Sequence, residues 1–174
     1  MTLTSQIKIV LDLLDQIQSE KVCLIGSSMG GYLAILVAQQ RVKIRATYLI
    51  APGFNFLERW VRSLELDCAD ETCWDPKIQI FHYRYNKIKY ICTDIFKDAK
   101  NWNTLALNRE VPSRIVHGIH DEVVPIDESI KFNSRHPWCS LKELDSDHGL
   151  LSHLEWVLDD CMGFFKRLGF LSTE

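Results

Sequence analysis

Gly26-Ser27-Ser28-Met29-Gly30 sets a serine midway between two glycines. The spacing has chemical meaning where a strand turns sharply into a helix and lifts one side chain to the apex. Here the apolar run 21–25 precedes it and a helical stretch over 30–40, with Leu33, Leu36 and Val37, follows. Ser28 then stands at the apex with its hydroxyl exposed, and Gly26 and Gly30 allow the chain on either side to come close. Ser27 fits this geometry badly, because Ile25 and Met29 would flank it. A plain Gly/Ser turn or an anion-binding loop is the alternative reading. The dinucleotide pattern Gly-x-Gly-x-x-Gly is absent, and so is a Walker lysine.

A serine hydroxyl is a weak nucleophile until a base, itself oriented by an acid, takes its proton. In a strand–turn–helix context the chain order is serine, then acid, then histidine. Asp121 lies in His117-Gly118-Ile119-His120-Asp121-Glu122-Val123-Val124-Pro125, and His148 in Asp145-Ser146-Asp147-His148-Gly149. Both follow apolar runs that read as strands, so both fall in loops at strand C-terminal ends, where parallel sheets carry their sites. In this reading His148 takes the Ser28 proton and returns it to the leaving group, while Asp121 orients His148. His153 competes as the base, and Glu122, Asp145 and Asp147 compete as the acid. His117 reads as structural and His120 as a side chain lining the site. His82 and His136 carry no partner signal.

The elements that must position these residues follow from hydrophobic period. Ile7, Val10, Leu11, Leu14 and Ile17 predict a helix over 4–19, with Thr4 as its N-cap. Strands are predicted at 21–25, 44–50, 113–119 and 139–144, with helices near 30–40, 126–134 and 151–168. The last helix places Leu151, Leu154, Val157, Leu158, Cys161, Phe165 and Leu168 on one face. Alternating strands and helices predict an α/β fold, a mostly parallel sheet flanked by helices. The stretch 54–110 breaks the alternation. It holds an amphipathic helix (Phe56, Leu57, Trp60, Val61, Leu64), a Cys/Asp/Glu-rich loop at 67–75, and a possible hairpin from 78–83 and 87–92 with Tyr85-Asn86 near its turn. It reads as a lid inserted into one domain covering 1–174. Its aromatic residues either line a site for an apolar acyl group or simply pack the insertion. Arg59, Arg62, Arg84, Lys87 and Lys89 read as a solvated face, with contact to an anionic substrate group as the alternative.

Composition narrows the rest. The chain has 174 residues, 47% of them apolar, and a net charge of -3. That excludes a wholly disordered chain and a strongly basic nucleic-acid binder. No run approaches the ~18 apolar residues of a membrane span, and no signal peptide opens the chain. The six cysteines make no Cys-x-x-Cys pair and no zinc spacing. Cys23 and Cys161 read as small core hydrophobes, and a reduced, cytoplasmic protein is the simplest account.

Taken together, Leu24–Gly31, Leu49-Ile50-Ala51-Pro52, His117–Pro125 and Leu144–Gly149 resemble the alpha/beta-hydrolase superfamily, and within it the small bacterial and cyanobacterial esterases of the YqiA/YcfP type. The likeness spans most of the chain and is weakest over 65–110. It implies hydrolysis of carboxylic esters or thioesters by Ser28, Asp121 and His148, with the Met29 backbone N–H in the oxyanion hole and no metal or organic cofactor. The family also begins with a strand ending in His-Gly, which supplies a second oxyanion donor, followed by a helix and another strand. No counterpart precedes Met1, so the resemblance implies a chain shortened at its front. Two expectations follow. The apolar run Val22-Cys23-Leu24-Ile25, suited to burial on both faces, becomes an edge prone to self-association. Loss of one oxyanion donor, worth about 10²- to 10³-fold in rate, also leaves open a weakly active or non-catalytic binding protein on the same fold.

Overall fold

The computed structural model describes residues 2–66, 74–82, 86–103 and 107–171. In chain order the elements are α1 (Leu3–Gln16), β1 (Val22–Ser27), α2 (Met29–Ala38), β2 (Ile44–Ile50), α3 (Phe56–Ser63), β3 (Lys77–His82), β4 (Lys87–Cys92), α4 (Asp94–Asn103), β5 (Ser113–Gly118), α5 (Asp127–Arg135), β6 (Cys139–Leu144) and α6 (Leu154–Arg167), with a 3₁₀ turn at Leu151–His153. They group into two compact units. One contains Met1–Ile9 and Asn55–Ala106, the other Val10–Phe54 and Leu107–Glu174.

The larger unit is built on a parallel sheet of order β1-β2-β5-β6. This is the parallel sheet accompanied by helices that the alternation of strands and helices predicts. Side chains alternate across the sheet. Ala46, Tyr48, Val116 and Leu144 form one core cluster with Val157, Cys161, Phe164 and Phe165 of α6. Tyr48 closes this layer with a polar link, its hydroxyl donating to Asp160 Oδ2 at 2.9 Å. Asp160 is also held by a two-pronged Arg114 guanidinium at 2.8 and 2.9 Å. α2 is apolar almost all round and mostly buried, as suits a helix packed within a domain rather than on its surface.

Several expectations shift. The cap of α1 is Thr2, not Thr4. Thr2 Oγ1 accepts the Ser5 N–H at 3.1 Å and the Thr2 N–H donates to Ser5 Oγ at 2.9 Å, a reciprocal capping box. Leu151, Leu154, Leu158 and Leu168 leave the predicted face of the last helix and are exposed. Leu151 lies in a 3₁₀ turn, outside the α-helical phase, and the buried stripe of α6 is Val157, Cys161, Phe164 and Phe165. The run 22–25 does lie at the sheet edge, as expected. Among the described residues β1 pairs only with β2, and Ile25 is 61% exposed. Cys161 is buried as expected, whereas Cys23 is only half-buried, packed against the α6 cluster.

In the smaller unit, β3 and β4 form the antiparallel hairpin expected at 78–92, with Lys77 opposite Cys92 and His82 opposite Lys87. α4 has no clear counterpart in the hydrophobic period of the sequence. Its stripe is short (Ile95, Phe96, Ala99) and interrupted by polar residues. Phe56, Trp60, Trp74 and Phe96 cluster with ring centroids 5.9–6.5 Å apart. These rings therefore pack within the insertion itself. Cys68, Cys73, Tyr83, Arg84 and Tyr85 lie outside the described residues. Among the described residues no helix is long and apolar enough to cross a membrane.

Candidate active site

The turn from β1 into α2 holds Ser28 at φ 53° and ψ −122°. A non-glycine residue there is strained and persists only where its surroundings fix it. They do. The Ser28 N–H donates to Ile50 O at 2.8 Å, and the Ser28 carbonyl accepts from Gly53 at 2.8 Å and Gly31 at 3.0 Å. Gly26 is required sterically, since a Cβ there would run into the Gly30 carbonyl. Gly30 is different. A Cβ on it meets nothing within 4 Å, and the tight position is instead Gly31, against Pro52. The expectation for Gly30 is therefore corrected: the close approach needs no side-chain-free residue at 30, only its backbone. Met29 is the first residue of α2, so its N–H has no carbonyl within the helix to bond.

Asp121 and His148 come from the loops after β5 and β6, and these loops are tied together. The Ile119 N–H donates to Leu144 O at 2.9 Å and the His120 N–H to Ser146 O at 3.0 Å. Gly118 permits this crossing, because a Cβ there would strike the Ser146 and Asp147 carbonyls. Asp147 Oδ1 accepts the N–H groups of Gly149 and Leu150 at 3.0 and 3.2 Å, shaping the turn that presents His148.

The three side chains meet in one hydrogen-bonded line. His148 Nδ1 lies 2.6 Å from Asp121 Oδ2, and His148 Nε2 lies 3.1 Å from Ser28 Oγ. With the His148 Nδ1–H donating to the carboxylate, Nε2 is left to accept the Ser28 hydroxyl proton. The Asp121 side chain is fully buried, and His148 is 25% exposed. Burial by itself would raise the Asp121 carboxyl. Hydrogen bonds from His117, His148 and the Val124 N–H outweigh it and hold the group well below the usual carboxylate range.

The competing residues lie elsewhere. His153 bonds its neighbour Ser152 at 2.9 Å. Asp147 is occupied by its turn, Glu122 is exposed, and Asp145 pairs with His120 in solvent. The His136 Nδ1–H donates to the Phe132 carbonyl at 2.7 Å, and the ring stacks on the Phe132 side chain. The side chain of His82 lies outside the described residues. His117 has more contacts than a filler: Nε2 lies 3.0 Å from Asp121 Oδ2 and Nδ1 lies 2.7 Å from Ser129 Oγ. The available signal was a titratable ring inside an apolar strand, which must find partners when buried.

Residues 2–165 match the uncharacterised protein family UPF0227. The chain belongs to that family. It is 28% identical over 155 residues to the "Putative esterase/lipase 2" of Mycoplasma pneumoniae, a match covering 75% of this chain and 57% of that protein. The UPF0227 chain thus spans little more than half the length of this curated relative. Among solved structures it resembles Est1E from Butyrivibrio proteoclasticus, with a TM-score of 0.81 and 22% identity over 96% of this chain and 71% of that one. Mouse alpha/beta hydrolase domain-containing protein 10 gives a TM-score of 0.79 and 24% identity over 97% and 71%. These likenesses establish the alpha/beta-hydrolase fold for the UPF0227 chain.

Proposed function

We propose that this chain is a serine hydrolase that cleaves carboxylic esters or thioesters through an acyl-enzyme. The observation carrying the reading is the continuous line from Ser28 Oγ through His148 to Asp121 Oδ2, set on a strained strand-to-helix turn. Ser28 Oγ bonds the acyl carbon as its proton passes to His148 Nε2. The Met29 N–H stabilises the resulting oxyanion. His148 then protonates the departing alcohol or thiol, and water repeats the sequence in reverse to release the acid. Asp121 stays ionised and stabilises the imidazolium. The chemistry asks for no metal or organic cofactor. The partner is a small-molecule ester or thioester, not a nucleic acid or a membrane, met in the cytoplasm. The same reading treats 1–174 as one hydrolase domain with 54–110 inserted into it. The esterase/lipase description of the Mycoplasma relative supports the substrate class.

A fluorophosphonate probe tests this directly. Wild type is expected to be labelled at Ser28 and the Ser28→Ala variant to be unlabelled. Equal labelling of the two, or none of wild type, overturns the hydrolase reading and leaves a binding protein on a hydrolase fold.

A further inference from the structure

Asp121 is held by more than its catalytic partner. Its Oδ1 accepts the N–H groups of Val123 and Val124, both at 2.8 Å. Its Oδ2 lies within bonding distance of two imidazoles, His148 at 2.6 Å and His117 at 3.0 Å. His117 Nε2 also lies 2.9 Å from the Val124 carbonyl. Both atoms facing Nε2 are therefore acceptors, so this nitrogen carries the proton. On the other side of the ring, Nδ1 faces the Ser129 hydroxyl at 2.7 Å, and that hydroxyl can turn to donate. The His117 and Asp121 side chains are fully buried, and so is Ser129. A neutral ring completes every one of these bonds, whereas a cation would add a second buried charge.

We propose that His117 and Ser129 form a positioning pair: neutral His117, held by Ser129 from α5, donates its Nε2–H to Asp121 and fixes the carboxylate that orients His148. The inference rests on the reading of Ser28, His148 and Asp121 as the catalytic group. The line then runs Ser129–His117–Asp121–His148–Ser28 and links the buried face of α5 to the nucleophile. It has an electrostatic consequence. A donor on Oδ2 draws negative charge away from His148. Without it, more of the carboxylate charge faces His148, the imidazolium is favoured, and the acid limb of the pH–rate profile moves to higher pH. The carboxylate also loses one of its anchors, so the aim of His148 loosens.

The other titratable groups on the loops after β5 and β6 and on α5 are His120, Glu122, Asp145, Asp147, Asp127, Glu128, Lys131 and Arg135, with His153 just beyond. His120 is bonded to Asp145 and Glu128 to Lys131. None of these is altered in the variants below, so a moved limb is assigned to the pair.

The test is fluorophosphonate labelling of the full chain, with maximal rate and half-saturating concentration measured across pH. His117→Leu removes the donor. His117→Gln restores an N–H near the Nε2 position. Ser129→Ala releases the far side of the ring. His117→Leu is expected to slow maximal labelling about 10- to 100-fold. Its half-saturating concentration should stay within about twofold, since His117 touches no ligand. Its acid limb should rise by about half a pH unit or more. His117→Gln should recover most of the rate, and Ser129→Ala should move both readouts in the same direction as His117→Leu by less. The pair is refuted if His117→Leu lowers only the melting temperature, or if His117→Gln is no better than His117→Leu. Should His117→Leu not fold, a wild-type rate and acid limb in Ser129→Ala refutes it. Loss of labelling in Ser28→Ala alongside wild-type behaviour in the His117 and Ser129 variants sinks the pair alone. Unchanged labelling in Ser28→Ala sinks the catalytic reading and the pair together.

Discussion

Two imidazole–carboxylate contacts bridge the loops after β5 and β6, and distance barely separates them. His148 and Asp121 are 2.6 Å apart, His120 and Asp145 2.8 Å. Exposure separates them completely. The first pair is 25% and 0% exposed, the second 66% and 81%. Water competes for every bond of the outer pair and screens its charge, so the contact is worth little. The inner carboxylate is cut off from water and fixed by two backbone N–H groups and two rings. The same two side-chain types thus give a solvent-exposed surface contact at one bridge and a fixed electrostatic partner at the other. A carboxylate orients a base when its remaining lone pairs are already held by the fold.

The sharpest way to break this contrast is to neutralise each acid in turn. Asp121→Asn is expected to slow fluorophosphonate labelling of Ser28 by about 10⁴-fold, because an amide facing His148 Nδ1 imposes the wrong tautomer. Asp145→Asn should leave the rate within about twofold. Comparable losses in both variants would mean that the exposed pair takes part in the chemistry and that burial is the wrong criterion.

How far this contrast was legible in the sequence depends on which contacts carry it. Ser28, Asp121 and His148 could be chosen because each follows an apolar strand at the sheet's C-terminal edge, and period and chain order report that. The four strands of the parallel sheet, the hairpin at 78–92 and a helix near 126–134 were legible for the same reason. Gly31 rather than Gly30 as the crowded glycine was not legible, since the crowding comes from Pro52 on the next strand's loop. Nor was the role of His117, whose partners Asp121 and Ser129 are four and twelve residues away. Spacing suggests the first of these contacts, but only the course of α5 supplies the second. Phase was lost at Leu151–His153 because a 3₁₀ turn and an α-helix read alike over three residues.

A second, smaller perturbation separates the loops by geometry instead of charge. Gly118 lies beneath the Ser146 and Asp147 carbonyls, and a methyl there has no space. Gly118→Ala is expected to destabilise the fold by about 2 kcal/mol, a typical overpacking cost, and to shift the turn that presents His148. Denaturant unfolding measures the first effect and labelling rate the second. Gly30→Ala is the control, because a Cβ there meets nothing within 4 Å. If Gly118→Ala labels and unfolds like wild type, the crossing of the two loops does not position His148.

The smallest effect should appear in acid. The Asp121 carboxyl is held below the usual carboxylate range despite its burial, chiefly by the bonds from His117 and His148. In the unfolded chain it returns to about 3.9. A group depressed in the folded state stabilises the fold above its unfolded pKa, and that contribution is lost as the pH falls through the folded value. Between about pH 5 and pH 3 the unfolded chain therefore takes up a proton that the folded chain refuses, and stability declines as the solution is acidified. Asp121→Asn has no such proton to take up. Its stability should start lower at neutral pH and fall less steeply across the same interval. Asp145→Asn, which removes a carboxylate already surrounded by water, should follow the wild-type slope. Urea midpoints at closely spaced pH values measure all three curves, and a wild-type slope in Asp121→Asn would mean that the inner carboxylate is no more fixed than the outer one.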